Sequence, residues 1–341
     1  MTNGQGFLQH VLGGITAFAQ RHLAEQRLVQ EKLAVFRDTI ERVVDASEPR
    51  IRLVGDYAEK LVDATEAASC YVEGLIRQLP ASLPLSGRAW AADPQVNAFF
   101  ATVSDLRTAL SLSRRVRTFF ETTQHAECFA FLLMTKQETE TFGTALKGDM
   151  LVREVPRTQV SFAEHHIVFP AASESELRRD LKQRMLIFLA TRALENIHEL
   201  RTRREALEEQ RRQLQAQLRA FRGHERGLRP LLLSDDAGER RLATLEQRLE
   251  QTEGELVVAR KALGTLDDYL GQVRQVLSQP EAFLTLHLTP IRLNRLGVKL
   301  DEHSSEPAAT MTLAEFTSLE QQRVAALVRF AREELAPVQE F

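Results

Sequence analysis

The sequence of 341 residues predicts an α+β fold that is predominantly helical. Three observations lead to this class. Long stretches repeat apolar residues every three or four positions, as helices with one buried face do. Two shorter stretches, within residues 126–172 and 281–341, alternate apolar and polar residues as β-strands do. Between them, residues 173–280 carry two heptad repeats of the kind that forms coiled coils.

Residues 1–125 predict an N-terminal helical bundle, because helical spacing recurs there with short interruptions. The first apolar stripe consists of Phe7, Leu8, Val11, Leu12, Ile15 and Phe18. No Lys or Arg precedes Arg21, which favours packing in the bundle over a membrane surface. A second helix is predicted from Pro49 to about Leu79. A third begins at Asp93, a good N-cap, followed by Pro94, and carries apolar residues as far as Phe119.

Residues 126–172 predict a small antiparallel β unit. The run from Cys128 to Met134 is apolar and short enough for a buried strand. Further strands are predicted at 150–152 and 159–162, with Pro156 between them and residues 167–169 as an extension of the second.

Residues 281–341 predict a second β unit, which could share one sheet with the first. Leu284, Leu286 and Leu288 lie on one face of a strand, and Pro290 then shifts the apolar phase to Ile291 and Leu293. Two more strands are predicted at 311–313 and 324–330.

Residues 173–280 predict an antiparallel coiled-coil hairpin with its tip at 222–241. One seam comprises Leu186, Ala190, Ala193, Ile197, Leu200, Arg204, Leu207, Arg211, Leu214, Leu218 and Phe221. The other comprises Leu242, Leu245, Leu249, Thr252, Leu256, Ala259, Leu263, Leu266, Leu270, Val273 and Leu277. A glycine-rich and proline-containing connector separates the two seams, so the chain turns there. Placing Phe221 opposite Leu242 and Leu186 opposite Leu277 predicts a register in which the numbers of facing residues add up to 463.

Two properties of the seams support this register. The charged seam positions Arg204 and Arg211 fall opposite Ala259 and Thr252, which leave room for an arginine stem. Residues 173–230 carry 14 basic and 9 acidic side chains, whereas residues 235–278 carry 6 basic and 9 acidic ones. Opposite net charges favour pairing of the two helices with each other.

The tip contains three consecutive leucines, Leu231, Leu232 and Leu233. One interpretation makes them a partner-binding knob, because exposed apolar patches commonly mark interaction sites. The other folds them back over the open end of the hairpin core. On the first interpretation, Leu232→Asp abolishes partner binding without changing the melting temperature.

Composition excludes several classes of protein. Two cysteines do not make a disulfide scaffold, and no apolar stretch is long enough for a transmembrane segment. The N-terminus lacks the basic region of a signal peptide, so a cytoplasmic protein is expected. A net charge of −3 gives no strong nucleic-acid signal. No P-loop and no G-x-G-x-x-G motif is present in the sequence.

A metal site is the remaining chemical alternative. His125, Glu127 and Cys128 open the first strand of the 126–172 unit, and Glu164, His165 and His166 lie near its last strand. These side chains could meet as metal ligands if the strands pair. Their spacing matches no zinc motif, and adjacent histidines in a strand point to opposite faces. We therefore predict no metal, no cofactor and no catalytic residue.

The sequence predicts a non-enzymatic structural or adaptor protein that binds protein partners through the coiled-coil arm or its tip. Self-association into a homo-oligomer fits the same pattern. One alternative is an accessory subunit of a multi-protein machine, such as one associated with nucleic acid, whose ATPase is another chain. A metal-dependent enzyme built on the 125–166 cluster is the other.

Overall fold

The computed structural model describes residues 27–147, 150–225, 236–301, 304, 306–318 and 321–336. Contacts between residues divide the chain into two compact units. The first comprises residues 1–68 and 187–279, and the second comprises residues 69–186 and 280–341. Each unit therefore combines two parts of the chain that are distant in sequence. The α+β class with a helical majority agrees with the sequence prediction.

The first unit begins with helix α1, described over residues 27–46. Glu48 accepts a hydrogen bond from the Arg50 amide and so caps a short 3-10 helix, Pro49–Leu53. Helix α2, Tyr57–Gln78, starts only after Asp56, whose φ of 57° lies in the left-handed region. Its residues from 69 onward belong to the second unit. The long helix predicted from Pro49 is therefore interrupted. An aspartate tolerates the left-handed conformation that this turn needs.

The rest of the first unit comes from helices α7, α8 and α9. Helix α7 spans Glu174–Glu225, and its residues from 187 onward belong to this unit. Helix α8 spans Asp236–Ala262, and α9 spans Leu266–Ser278. The Asp268 carboxylate accepts hydrogen bonds from the amides of Gly264 and Thr265, at 3.0 and 2.7 Å, and thereby caps α9. The second predicted seam, residues 242–277, is therefore divided between α8 and α9, with the break at residues 263–265.

The second unit contains four short helices: α3 (Gly87–Ala92), α4 (Pro94–Phe99), α5 (Val103–Leu112) and α6 (Arg114–Thr122). Asp93 caps α4 as predicted, accepting from the Gln95 amide. The single predicted helix is nevertheless three helices. Thr102 and Ser113 each accept a backbone N–H through the side chain, and each starts a new helix.

A six-stranded, mainly antiparallel sheet forms the centre of the second unit among the described residues. Its strands are β1 (Leu83–Pro84), β2 (Glu127–Lys147), β3 (Met150–Ala171), β4 (Leu284–Leu293), β5 (Ala309–Ser318) and β6 (Gln322–Ala331). The order is β3-β2-β6-β5-β4. The short strand β1 runs parallel to β6 at Leu83 and Pro84. The two predicted β segments therefore contribute to one sheet.

Strand β3 continues through Pro156, where the sequence predicts a break. Pro156 faces Phe142 of β2, and β3 lies at the end of the strand order. Its outer edge accepts the segment after β4, because the Lys299 amide donates to the Thr158 carbonyl at 2.8 Å. A proline is tolerated on such a strand because its missing N–H can face away from the neighbouring strand.

The apolar phase shift predicted around Pro290 is confirmed. Leu284 and Leu286 are buried at one end of β4, and Ile291 and Leu293 are buried at the other. Alternate residues of a strand point to opposite faces, so the two ends of β4 are covered on opposite faces. The second pair joins the core formed by α4–α6 and one face of the sheet.

Candidate interaction site

The candidate site lies on α7 and α8, within the first unit. Between residues 240 and 261, the residues of α8 that are not exposed all occupy predicted seam positions: Leu242, Leu245, Leu249, Thr252, Leu256 and Ala259. On α7, the seam residues Leu207, Leu214 and Leu218 are buried. The heptad pattern thus predicts correctly which faces of the two helices are covered.

Two ion pairs join the helices beside this seam. Arg260 lies 3.1 Å from Glu208, and Arg222 lies 2.7 Å from Glu246, measured between guanidinium nitrogen and carboxylate oxygen. The later residue of α7 contacts the earlier residue of α8. The contacting segments therefore run in opposite directions. In both pairs the residue numbers add up to 468.

The Glu208 carboxylate interacts with three arginines, Arg260 of α8 and Arg204 and Arg211 of α7. The hydrogen bond from Arg260 lowers the pKa of the Glu208 carboxyl, and the charges of Arg204 and Arg211 lower it further. The Nε atoms of Arg204 and Arg211 are buried and have no hydrogen-bond partner among the described residues. The charges of both seam arginines thus act on a carboxylate of their own helix. Thr252 on α8 is buried too, and its hydroxyl donates to the Arg248 carbonyl at 2.8 Å.

An open groove of about 500 Å³ lies between α7 and α8 near the end of the described helix pair. Leu218 and Leu249 form its apolar floor. Its remaining lining residues are Gln215, Arg219, Arg222, Glu246, Glu250 and Glu253. Basic groups come from α7 and acidic groups from α8, so the groove offers complementary charges on its two sides.

The metal-ligand alternative is not supported by the geometry. Cys128 is buried inside the sheet core, and burial raises the pKa of its thiol to about 12. His165 hydrogen-bonds the Phe99 carbonyl at 2.6 Å and stacks on the Phe100 ring, and burial lowers its pKa. A neutral imidazole that donates to a carbonyl is a structural group in this position.

The other members of that cluster point elsewhere. Glu164 accepts a hydrogen bond from Thr135 at 2.6 Å and pairs with Arg323. His125 is exposed and stacks against Phe119, and Glu127 and His166 are also exposed. Among the described residues, no three His, Cys, Asp or Glu side chains are close enough to hold a metal ion.

No protein-family model, curated protein or solved structure matches this chain. In the described part of the chain, no helix is long and apolar enough to cross a membrane.

The predicted partner-binding leucines, Leu231, Leu232 and Leu233, lie outside the described residues. The predicted stripe from Phe7 to Phe18 lies outside them as well. Both interpretations of the leucine tip remain predictions.

The apolar heptad pattern alone does not reveal the two ion pairs that join α7 and α8. Glu208, Arg222, Glu246 and Arg260 each directly follow a seam position of the heptad repeat. Positions beside a seam commonly carry interhelical ion pairs. The opposite charges at these positions are the sequence signal for the two contacts.

Proposed function

We propose that α7 and α8 form an antiparallel coiled-coil hairpin and that this arm binds a protein partner. The chain then acts as a non-enzymatic structural or adaptor protein. The second unit holds the base of α7, because α7 begins there at Glu174. The partner binds the outer faces of the helix pair or the groove beside Leu218.

The observation that carries this proposal is the pairing of Glu208 with Arg260 and of Arg222 with Glu246. Both pairs join residues that directly follow seam residues. Glu208 lies four residues after Arg204, and Arg260 directly follows Ala259, which faces Arg204 in the predicted register. The sum of 468 is therefore compatible with facing seam residues whose numbers add up to 463. Fourteen residues of α7 separate the two contacts, so the helices stay side by side for about 21 Å at 1.5 Å per residue. Such a helix pair needs no ligand pocket, since its outer surface is available to another protein.

Photo-crosslinking in the native host tests the proposed function. Benzoylphenylalanine replaces Gln210 or Gln217, which are exposed on α7, and in a matched control it replaces Gln124, which is exposed in the second unit. We expect both arm positions to yield the same protein adduct, identified by mass spectrometry, and the control to yield none of it. Adducts of one protein from Gln124 alone would refute a function based on the arm.

A further inference from the structure

A short row of exposed residues runs along α8 and begins at Glu250, which also lines the groove beside Leu218. Glu250, Gly254, Val257 and Lys261 are spaced four, three and four residues apart, so they line up along one side of the helix. Val257 is 68% exposed and its neighbour Val258 is 70% exposed. We call the four spaced residues the outer stripe. Val257 is the exposed apolar side chain of the stripe, and Val258 adds exposed apolar surface beside it.

Gly254 has no evident role inside the chain. A glycine within a helix costs roughly 0.5–1 kcal/mol relative to alanine. A Cβ added at Gly254 would meet nothing within 4 Å among the described residues, so no intramolecular close approach requires the glycine. Its small size is useful if a helix from outside approaches this point.

The outer stripe is complementary to itself when two copies run antiparallel. In a two-fold arrangement centred between residues 255 and 256, Gly254 of one copy faces Val257 of the other. In the same arrangement Glu250 faces Lys261. The valine fills the space above the glycine, and each end gains an ion pair. Neither Glu250 nor Lys261 has an ion pair among the described residues, so both charges are available.

We propose that the outer stripe of α8 is a homodimer interface, and that the partner of this face is a second copy of the chain. This inference rests on the proposed function, because it names one partner of the arm. The stripe is about 16 Å long at 1.5 Å per residue. One helix stripe of this length buries less surface than a stable specific interface, so we expect a weak, reversible dimer.

Charge reversal tests this proposal with the full-length chain. Glu250→Lys places lysines opposite Lys261 at both ends of the interface, and Lys261→Glu places glutamates opposite Glu250. Each variant alone should dimerise at least about tenfold more weakly than the wild type, since two attractive contacts become repulsive. An equimolar mixture of the two variants restores both ion pairs and should dimerise as the wild type does. Sedimentation velocity over a concentration series measures all four samples.

The mixture separates a specific interface from general damage. Two misfolded or destabilised variants would not rescue each other, and their melting temperatures provide the matching control. Gly254→Gln gives a second readout, since it fills the space for Val257 and should abolish dimerisation without lowering the melting temperature. A monomeric wild type, or variants that dimerise like the wild type, would overturn the proposal.

Benzoylphenylalanine at Val258 identifies the occupant directly in the purified protein. An adduct to α8 of a second copy supports the homodimer. An adduct to residues 1–26 of the same chain shows an intramolecular occupant and overturns it. Adducts from Gln210 to a host protein, obtained without any dimer, would leave the proposed function intact and reject this inference alone.

Discussion

At the scale of single residues, Gly297 allows the turn after β4 to pack against the edge of β3. Its φ is 76°, in the left-handed region, and a Cβ there would lie 2.6 Å from the Val160 carbonyl oxygen. The Gly297 carbonyl also accepts a hydrogen bond from the Val160 amide at 2.7 Å. The Asn294 side chain fixes the turn, accepting from the amides of Leu296 and Val298. Backbone conformation and close approach therefore both require glycine.

We expect Gly297→Ala to lower the free energy of unfolding by about 1–3 kcal/mol, because the new methyl group forces the turn away from β3. Chemical denaturation monitored by circular dichroism measures the change. Gly74→Ala in α2 is the matched control, since a Cβ there meets nothing within 4 Å and should raise stability by up to about 1 kcal/mol. Equal effects of the two substitutions would contradict the close approach at Gly297.

The N-caps explain why the apolar spacing predicted one helix where the structure has α4, α5 and α6. Asp93 is predictable because a proline follows it, but Thr102 and Ser113 occur within an apolar pattern that continues on both sides. Their hydroxyls accept hydrogen bonds from backbone N–H groups, and each starts the helix that follows. Apolar periodicity indicates which face of a helix is buried. It does not indicate from which backbone N–H groups a side chain accepts hydrogen bonds.

At the scale of elements, the covered faces of α7 and α8 were the most predictable feature. The seam positions of α7 and α8 are the covered ones because a heptad repeat fixes a helix face without reference to the rest of the chain. Strand pairing was less predictable. The register of β2 against β6 joins Cys128 to Phe330, some 200 residues apart, and no local pattern encodes that choice.

Cysteines at positions 207 and 256 test the hairpin. Leu207 and Leu256 are buried and their numbers add up to 463, so we expect Leu207→Cys with Leu256→Cys to crosslink within one chain on oxidation or with a short thiol crosslinker. The background carries Cys70→Ser because Cys70 is exposed. Non-reducing gel electrophoresis and peptide mapping identify the product.

The control for this pair is Glu205→Cys with Val258→Cys. These residues share the same sum of numbers, but both side chains are exposed. They should not crosslink within a chain. A product found only between two chains for the 207 and 256 pair would rule out the intramolecular hairpin.

At the scale of the whole molecule, the second unit is organised around β6. This strand pairs with β2 along one edge and with β5 and then β1 along the other. Its residues from Val324 to Val328 are all buried. Beyond Met134, the pairing of β2 in the described part of the chain is with β3. Protection from opening should therefore decrease along β2 from its inner to its outer half.

Hydrogen exchange followed by mass spectrometry tests this gradient. We expect residues 127–134 of β2 and the whole of β6 to exchange slowest, because their opening requires the sheet to unfold. Residues 137–143 should exchange at least about tenfold faster, since they can open locally. Both halves belong to one strand, so each serves as the reference for the other. Uniform exchange along β2 would refute the central role of β6.

The position of β6 in the chain has a consequence for biosynthesis. The strand that joins both halves of the sheet is the last one described, and about 150 residues lie between the end of β3 and its start. At roughly 5–20 residues per second, a ribosome needs about 8–30 s to make them. During that interval β2 and β3 exist with the edge for β6 unpaired. A nascent chain in this state offers an apolar strand edge to chaperones, and a chain that stops before β6 keeps it exposed permanently.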